Sequence, residues 1–284
     1  MRSIKQIHKA EYRPIADLTT YSPMPTGSIQ MIDPFLFLNH HGPQNYPPNN
    51  NGLPFGPHPH RGMETVTFIL DGDIAHKDSS GHKSVIESGG VQWMTAGSGL
   101  LHAEVSSEKF KKEGGDLEIL QLWVNLPAKY KMTEPKYLGF QKDQIPTISL
   151  DDGKVKGQVV SGALEDTSGA FNTFTDINLA TLNFEENASV SLNIPKDHNI
   201  FFYVIRGEFE VNDQQVKALH LAEFNNDDVK LKIEAKAESV LLFGHAKPFE
   251  EPVVARGPFV MNTMEEIDEA YADFQTGKMG AWKE

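Results

Sequence analysis

Short runs of apolar and β-branched residues recur along most of this chain, and clusters of Gly, Pro, Asn and Asp separate them. Runs of about four to eight such residues between turn formers are typical of β-strands. Many short strands at close spacing favour a sandwich or a barrel over alternating strand–helix units. We therefore predict an all-β protein. The predicted strands are Thr65–Leu70, Val91–Thr95, Leu117–Leu126, Ala180–Phe184, Ser189–Ile194, Phe201–Ile205, Phe209–Val211, Val229–Ile233 and Val240–Phe243.

Helical periodicity is weak except near the C-terminus. Residues 263–275 are predicted to form one helix, with Asn262 or Thr263 as its N-cap and Gly277 just past its end. We expect this helix to pack on the body of the protein through one apolar face. That face comprises Met264, Ile267, Tyr271 and Phe274.

Two segments of the chain are irregular in composition. Residues 41–59 are dense in Pro, Gly and Asn, which predicts a long loop, and such loops are often functional. Residues 141–157 are polar and contain a turn signal at Asp152-Gly153. Because strands are dense on both sides of this segment, we predict one β-barrel over residues 1–142 and a second, with the C-terminal helix, over residues 143–284.

Composition excludes several classes of function. The chain has no cysteine, so a disulfide scaffold, a thiolate nucleophile and a zinc–thiolate site are impossible. Its 39 acidic and 26 basic residues give a net charge of −13, which repels nucleic acids and anionic membranes. Apolar runs fall far short of the roughly 20 residues that cross a bilayer, and no signal peptide is recognisable. We expect a cytoplasmic protein with no direct nucleic-acid or membrane partner.

Two pairs of metal-ligating residue types stand out in the first half of the chain. His58 and His60 are two residues apart, as are His102 and Glu104. Residues at this spacing project to the same face of a strand, so each pair would present both side chains together. Two strands of one barrel could then bring four ligands to one point. Glu64 is a second candidate for the carboxylate ligand, because its parity also matches that of the first pair.

Three imidazoles and one carboxylate suit a divalent first-row metal and disfavour Mg and Ca, which prefer oxygen ligands. Fe(II), Mn, Ni, Cu and Zn all fit this description. The other histidines lack such pairing and are predicted to be surface or loop residues, although two of them, His40 and His41, could line the site. These histidines are His8, His40, His41, His76, His82, His198, His220 and His245.

Longer motifs around the two pairs resemble the pirin family of the cupin superfamily. The motifs are HPHRGMETVTFILDGDIAHKDSSGH, VQWMTAGSGLLHAE and LQLWVNLP, and the similarity extends to IDPFLFL upstream and GPFVMNT downstream. The resemblance implies a bicupin of two tandem jelly-roll barrels, with one metal in the N-terminal barrel and none in a degenerate C-terminal barrel. In pirins the carboxylate belongs to the second motif, so the resemblance selects as metal ligands His58, His60, His102 and Glu104.

The resemblance also implies a function. Pirin-like proteins include enzymes that open the flavonol quercetin with O₂, giving a depside and carbon monoxide. A metal-dependent dioxygenase of this type would act on a small aromatic substrate and O₂, with Glu104 as the catalytic base that takes the 3-hydroxyl proton. The alternative is a metal- or redox-sensing regulator that acts through a protein partner. Cupins host many chemistries, so an isomerase or hydrolase is a third hypothesis.

Overall fold

The computed structural model describes residues 1–282, and most of its regular structure is strand. The first strands in chain order are β1 (Ile4–Lys9), β2 (Glu11–Tyr12), β3 (Thr20–Met24), β4 (Phe35–Tyr46), β5 (Phe55–His60), β6 (Met63–Asp71), β7 (Asp73–Asp78), β8 (Lys83–Glu87), β9 (Val91–Thr95), β10 (Leu100–Val105), β11 (Gly115–Asn125) and β12 (Lys136–Phe140). They are followed by β13 (Thr147–Leu150), β14 (Val155–Ser161), β15 (Ala163–Leu164), β16 (Thr167–Ser168), β17 (Ile177–Phe184), β18 (Ser189–Asn193), β19 (Asn199–Arg206), β20 (Glu208–Val211), β21 (Gln214–Lys217), β22 (His220–Phe224), β23 (Lys230–Ala235), β24 (Ser239–Ala246), β25 (Val254–Arg256) and β26 (Phe259–Met261). The helices are α1 (Glu108–Glu113) and α2 (Met264–Gln275), with 3₁₀ turns at Ala128–Tyr130, Lys142–Gln144 and Asp151–Gly153.

The all-β prediction is confirmed, and each of the predicted strands overlaps an observed one. The prediction of one long loop over residues 41–59 is wrong, because β4 runs on to Tyr46 and β5 begins at Phe55. Pairing of β4 between β11 and β3 keeps the Pro- and Gly-containing stretch extended. Within residues 1–282, no helix is both long and apolar enough to span a membrane.

The chain forms two compact units that take their segments from different parts of the sequence. Unit 1 comprises residues 1–11, 22–36 and 144–248, and unit 2 comprises residues 12–21, 37–143 and the chain from Phe249 onward. The sequence interpretation used two contiguous halves and assigned the C-terminal helix to the second. In the structure α2 belongs to unit 2, because it packs on β25 and β26 of that unit.

Unit 1 contains a seven-stranded sheet and a four-stranded sheet. The strand orders are β1-β22-β19-β24-β17-β14-β13 and β18-β23-β20-β21, and the neighbouring strands are antiparallel. Side chains from both sheets form one apolar core. Members of this core include Val159, Leu182, Val190, Leu192, Phe202, Phe209, Leu231, Ile233 and Leu241.

Unit 2 has the same combination of sheets. Its seven-stranded sheet has the order β12-β9-β6-β11-β4-β3-β2, and its four-stranded sheet has the order β5-β10-β7-β8. Both predicted pairs of metal-ligating residues lie on neighbouring strands of the smaller sheet. The fold therefore brings together residues that are more than 40 positions apart in the sequence.

Helix α2 begins and ends close to the predicted positions. Its N-cap is Thr263, which forms a capping box with Glu266. Ile267 and Ala270 are buried in an apolar cluster, but Met264 and Phe274 are 42% and 36% exposed. The prediction that these last two residues belong to the packed face is wrong. The buried face of the helix is formed by Ile267, Ala270 and Asp273, the last of which pairs with Arg61, so Met264 and Phe274 lie outside this face.

Candidate metal centre

The pairing of β5 with β10 places the predicted histidines side by side. The strands are antiparallel, with His102 opposite His58 and Leu100 opposite His60. Because His58 and His60 are two residues apart in β5, both project to the same face, as the parity argument predicted. The register between β10 and β5 shifts after His102, because β5 contains one extra residue between Phe55 and His58.

The three imidazoles converge on one point. A ligand nitrogen from each of His58, His60 and His102 lies within 4.8 Å of the others. The Nε2 atoms of His58 and His102 are 3.0 Å apart. Two imidazole nitrogens that bind one ion at about 2.1 Å and roughly at right angles would lie about 3.0 Å apart. The observed separation therefore fits two ligands of one metal ion.

The opposite nitrogens of two of these rings are held by backbone carbonyls. His58 Nδ1 lies 2.8 Å from the carbonyl oxygen of Gly56, and His60 Nδ1 lies 3.1 Å from that of Pro258. A carbonyl only accepts, so each Nδ1 carries the proton and each Nε2 presents its lone pair to the cluster. Metal-binding histidines in proteins are generally oriented in this way.

Burial keeps two of these ligands neutral. Burial, together with the neighbouring His58, lowers the pKa of His60 to about 3. Burial also lowers the pKa of His102 well below its ordinary value, with His60 and His58 adding to the effect. A metal ligand must have lost its proton to bind, so these rings are prepared for a metal at neutral pH.

The fourth predicted ligand, Glu104, lies two residues after His102 on β10, and its carboxylate is turned toward polar side chains. It is not among the groups whose atoms lie within 4.8 Å of one another. Its Oε1 accepts hydrogen bonds from Thr67 Oγ1 at 2.8 Å and from the side-chain amide of Gln92. Its Oε2 accepts no hydrogen bond within residues 1–282. One carboxylate oxygen is therefore fixed, and the other is available for a metal or a proton.

The competing carboxylate, Glu64, occupies a different environment. Gly62, with a φ of +80°, separates β5 from β6, so the residue parity that connected Glu64 to the histidines does not continue. Glu64 Oε1 accepts a hydrogen bond from Thr95 Oγ1 at 2.6 Å. Burial raises the pKa of Glu64 to about 7. Glu64 is also outside the histidine cluster.

The C-terminal segment is fastened next to His60. The N–H of Val260 donates to the carbonyl of Arg61 at 3.0 Å, and Arg61 forms an ion pair with Asp273 at 2.8 Å. The buried ammonium of Lys131 donates to the carbonyls of Gly62 and Val260 at 2.9 and 3.0 Å. A Cβ atom at Gly62 would lie 2.0 Å from the carbonyl oxygen of Val260, so only glycine fits there. These contacts explain why Arg61 and Gly62 directly follow the His58–His60 pair in the sequence.

A half-buried aromatic pair lies beside the cluster. The rings of Phe37 and Trp123 are stacked, with centroids 4.5 Å apart. The edge of Trp123 meets the ring of His60 at a centroid distance of 5.2 Å. Neither aromatic residue is fully covered. The pair offers a flat apolar surface next to a candidate metal ligand.

The prediction that the unpaired histidines are surface residues is wrong for most of them. His82 is exposed and His220 is half-buried, but six others are buried with polar or aromatic partners. His40 bonds to Glu118 at 2.8 Å and His41 to Thr20 at 2.9 Å, outside the triad. Burial becomes visible only when strands pair, so composition around each histidine could not show it. The buried histidines are His8, His40, His41, His76, His198 and His245.

One pair near the cluster escaped the sequence interpretation. His76 and Asp78 lie two residues apart on β7, directly opposite Glu104 and His102 on β10. His76 Nε2 lies 3.1 Å from Asp78 Oδ2. The spacing of an imidazole and a carboxylate at alternate positions of a strand was a signal, identical in form to that of His102 and Glu104.

A two-unit, all-β fold of the cupin type, with three converging imidazoles in one unit, defines a candidate metalloprotein. Comparison with known families agrees with this class. The family model described as Pirin matches residues 17–124, and that of the Pirin C-terminal cupin domain matches residues 179–280. The chain belongs to the pirin family.

Similar proteins cover nearly the whole chain. A Pseudomonas aeruginosa protein named "Putative quercetin 2,3-dioxygenase" is 38% identical over 93% of this chain and 91% of its own. A crystal structure of a quercetin 2,3-dioxygenase from Acinetobacter baumannii is 35% identical, with a TM-score of 0.93 over 99% of both chains. A bacterial pirin from Escherichia coli, crystallised with nickel(II), has a TM-score of 0.67 over 86% of this chain and 99% of its own. At 20% identity, it shows the shared fold alone.

Proposed function

We propose that this chain is a metal-dependent dioxygenase that opens the ring of a flavonol-type substrate with O₂. The observation that carries the proposal is the convergence of three imidazoles, two of them kept neutral by burial, beside a half-buried aromatic surface. The names of the similar proteins support the same oxidoreductase class.

In this proposal, the metal is held by four side chains. His58, His60 and His102 supply Nε2 atoms, and Glu104 supplies Oε2, the oxygen that Thr67 and Gln92 leave available. Three imidazoles and one carboxylate suit a divalent first-row ion, and Fe(II) is our first choice. When bound, such an ion would act as a Lewis acid toward the 3-oxygen of a flavonol and hold the substrate for attack by O₂.

Phe37 and Trp123 would orient the substrate. A flavonol is flat and aromatic, and aromatic groups prefer offset stacking or edge-to-face contact with centroids about 4.5–7 Å apart. Since Trp123 contacts His60 edge-on, a ring packed on this pair would place its oxygens close to the ligands. The apolar surface would also exclude water from that side of the substrate.

Glu104 would take the proton of the 3-hydroxyl group. Its Oε1 is occupied by the hydroxyl of Thr67 and the amide of Gln92, so the proton would go to the lone pair of Oε2 that the metal does not use. Tyr137 donates to the Gln92 carbonyl at 3.0 Å, which fixes the amide with its N–H₂ group toward Glu104. This chain of hydrogen bonds keeps the carboxylate in one orientation. Loss of the proton makes the substrate an anion that is more easily oxidised.

The atoms of the proposed reaction balance without a further reductant. Both atoms of O₂ enter the depside product, and the C2–C3 and C3–C4 bonds break. C3 leaves as carbon monoxide with its own oxygen. The proton held by Glu104 returns to the product carboxylate.

The test compares the wild-type chain with Glu104→Gln, after each has been loaded with Fe(II), Mn(II) or Ni(II) and its metal content measured. We expect wild type to consume O₂ and release carbon monoxide with a flavonol, but not with the matching flavone, which lacks the 3-hydroxyl. Glu104→Gln should lose about 10²–10⁴-fold in kcat per bound metal, the usual contribution of a general base. Glu64→Gln is the matched control and should keep both metal and activity.

Two results would contradict this proposal. Unchanged turnover in a metal-replete Glu104→Gln variant would exclude this carboxylate as the base. A metal-replete wild type that consumes no O₂ with any flavonol would exclude the dioxygenase function and favour the regulatory alternative.

A further inference from the structure

Two buried imidazole nitrogens beside the cluster lack hydrogen-bond partners within residues 1–282. They are Nδ1 of His102, on β10, and Nδ1 of His76, on β7. Both side chains are almost fully buried, at 0% and 2% exposure. A buried polar atom without a partner destabilises a fold, so two such atoms on neighbouring strands call for a common explanation.

The two rings are neighbours on the inner face of the sheet. In the pairing of β10 with β7, His76 lies opposite Glu104 and Asp78 lies opposite His102, and the centroids of the two imidazoles are 5.6 Å apart with planes 48° apart. Elsewhere in this protein, His198 and His245 form a direct Nδ1–Nδ1 contact of 3.0 Å with centroids 5.2 Å apart and planes at 44°. The rings of His76 and His102 are therefore almost as close as those of a directly bonded imidazole pair.

With a metal bound, Nδ1 of His102 would be a hydrogen-bond donor and Nδ1 of His76 an acceptor. If a metal takes the lone pair of His102 Nε2, then Nδ1 of that ring keeps the proton and is a donor that needs an acceptor. His76 Nε2 faces the carboxylate of Asp78 at 3.1 Å, so its proton lies between those two groups. Nδ1 of His76 then carries a lone pair and is an acceptor. His58 and His60 use backbone carbonyls for the same purpose, whereas His102 has none within bonding distance among the described residues.

His76 is itself held in place. Its ring is stacked on Tyr137 with centroids 3.9 Å apart and planes 12° apart. Asp78 fixes the other edge of the ring and is tied by its Oδ1 to the backbone N–H groups of Ser80 and His82. Tyr137 covers one face of the His76 ring and Asp78 binds its Nε2. Nδ1 is therefore the hydrogen-bonding atom that His76 still has for a neighbouring ring.

We propose that His76, fixed by Asp78 and Tyr137, is the positioning residue for His102 and accepts the hydrogen bond of its Nδ1–H when a metal is bound. The side-chain relay from Asp78 through His76 would thus do for the third imidazole what main-chain carbonyls do for the first two. The inference rests on the metal site of the proposed function, but not on flavonol chemistry.

The test uses His76→Phe, which keeps the stacking surface for Tyr137 but removes the acceptor. We expect its affinity for Co(II) and Ni(II), measured by competition with a chelator, to fall about 10–100-fold, as for other outer partners of metal ligands. His76→Gln retains a donor and an acceptor and should recover most of that loss. His82→Gln is the matched control: His82 contacts the same Asp78 oxygen at 3.3 Å but is half-exposed, and its loss should leave affinity unchanged.

Proton NMR of the Co(II)-loaded protein in water gives a direct readout. Wild type should show three shifted, exchangeable ring N–H signals, one for each imidazole ligand. In His76→Phe the signal of His102 should exchange rapidly with water and disappear, while the signals of His58 and His60 remain.

Equal metal affinity and three unchanged N–H signals in His76→Phe would overturn the inference, as would a wild-type chain that binds neither metal. If His76→Phe does not fold, a His76→Gln variant without the third N–H signal would overturn it instead. A chain that binds these metals without opening flavonols contradicts only the proposed dioxygenase function.

Discussion

The two units share one combination of sheets but fill the space between their sheets differently. In the four-stranded sheet of unit 1, alternate positions of β18 and β23 carry Val190, Leu192, Leu231 and Ile233, all members of one apolar core. In the four-stranded sheet of unit 2, alternate positions of β5 and β10 carry His58, His60, His102 and Glu104. The comparison shows that the scaffold does not itself specify a metal site. In unit 2, three converging imidazoles on two strands occupy positions that carry apolar core residues in unit 1.

Buried histidines alone do not create a metal centre either. In unit 1, Nδ1 of His198 lies 3.0 Å from Nδ1 of His245, but no third metal-ligating side chain joins this pair among the described residues. In unit 2, backbone carbonyls take the Nδ1 protons of His58 and His60 and leave their Nε2 atoms facing inward. Among residues 1–282, the only group of three or more metal-ligating side chains is the cluster in unit 2.

The largest expected effect is loss of the metal from unit 2. Replacing His58 by Ala removes one of the three imidazole ligands. Metal affinity should therefore fall by more than the roughly 10–100-fold that is typical for hydrogen-bond partners of metal ligands. His245→Gln, in unit 1, should leave metal content unchanged. Elemental analysis of both purified variants after loading with one metal makes the comparison. Full occupancy in His58→Ala would exclude His58 as a ligand.

The next effect concerns the apolar interior of unit 1. Phe209 is fully buried, with ring centroids 5.0 Å from Phe184 and 5.8 Å from Phe202. Phe209→Ala should lower the free energy of unfolding by about 3–5 kcal/mol, because it removes contacts and leaves a cavity. The folded variant should still bind metal in unit 2. Denaturant unfolding, with the exposed Phe174→Ala as the control, measures this cost; equal effects of the two substitutions would contradict the assigned core.

The third prediction concerns Glu64, the carboxylate of unit 2 that competed with Glu104 as the predicted ligand. The pKa of Glu64 is raised to about 7 by burial, above its ordinary value of 4.5. Below pH 4.5 the residue is protonated in both the folded and unfolded states and has no effect. Between pH 4.5 and 7 the unfolded state loses its proton first, so wild-type stability falls with rising pH. Glu64→Gln lacks this loss and should gain up to about 3 kcal/mol relative to wild type across that interval.

Unfolding of Glu64→Gln and wild type by denaturant, repeated at pH 4.5, 6 and 8, checks this sign. A stability difference that does not change with pH would show that Glu64 is not kept protonated by burial. Metal content should be the same in both proteins, in contrast to His58→Ala.

Local sequence patterns determined the elements and part of the site. Runs of apolar and β-branched residues between turn formers located the predicted strands, and the capping residues located α2 to within one residue at Thr263. The spacing of His58 with His60 was sufficient to predict a shared face, because side-chain alternation is a local property of a strand. Glu104 follows His102 by the same rule.

Other features depended on which strands pair. Glu64 fits the parity of the histidines along the sequence, but the bend at Gly62 moves it to another sheet and into a different environment. The packed face of α2 includes Asp273, which the apolar pattern could not indicate, because its burial depends on the ion pair with Arg61. His76 and Asp78 gained a role only through their places opposite Glu104 and His102.

The sequence by itself determined the strands, the terminal helix and three histidines with the right spacing to act together. Only the tertiary structure decided that β5 lies beside β10, and that a carbonyl 198 residues away, that of Pro258, orients His60. The physical reason is that side-chain direction follows from local backbone geometry. The burial of the histidines, their tautomers and their convergence on one point depend instead on contacts between segments that are distant along the chain.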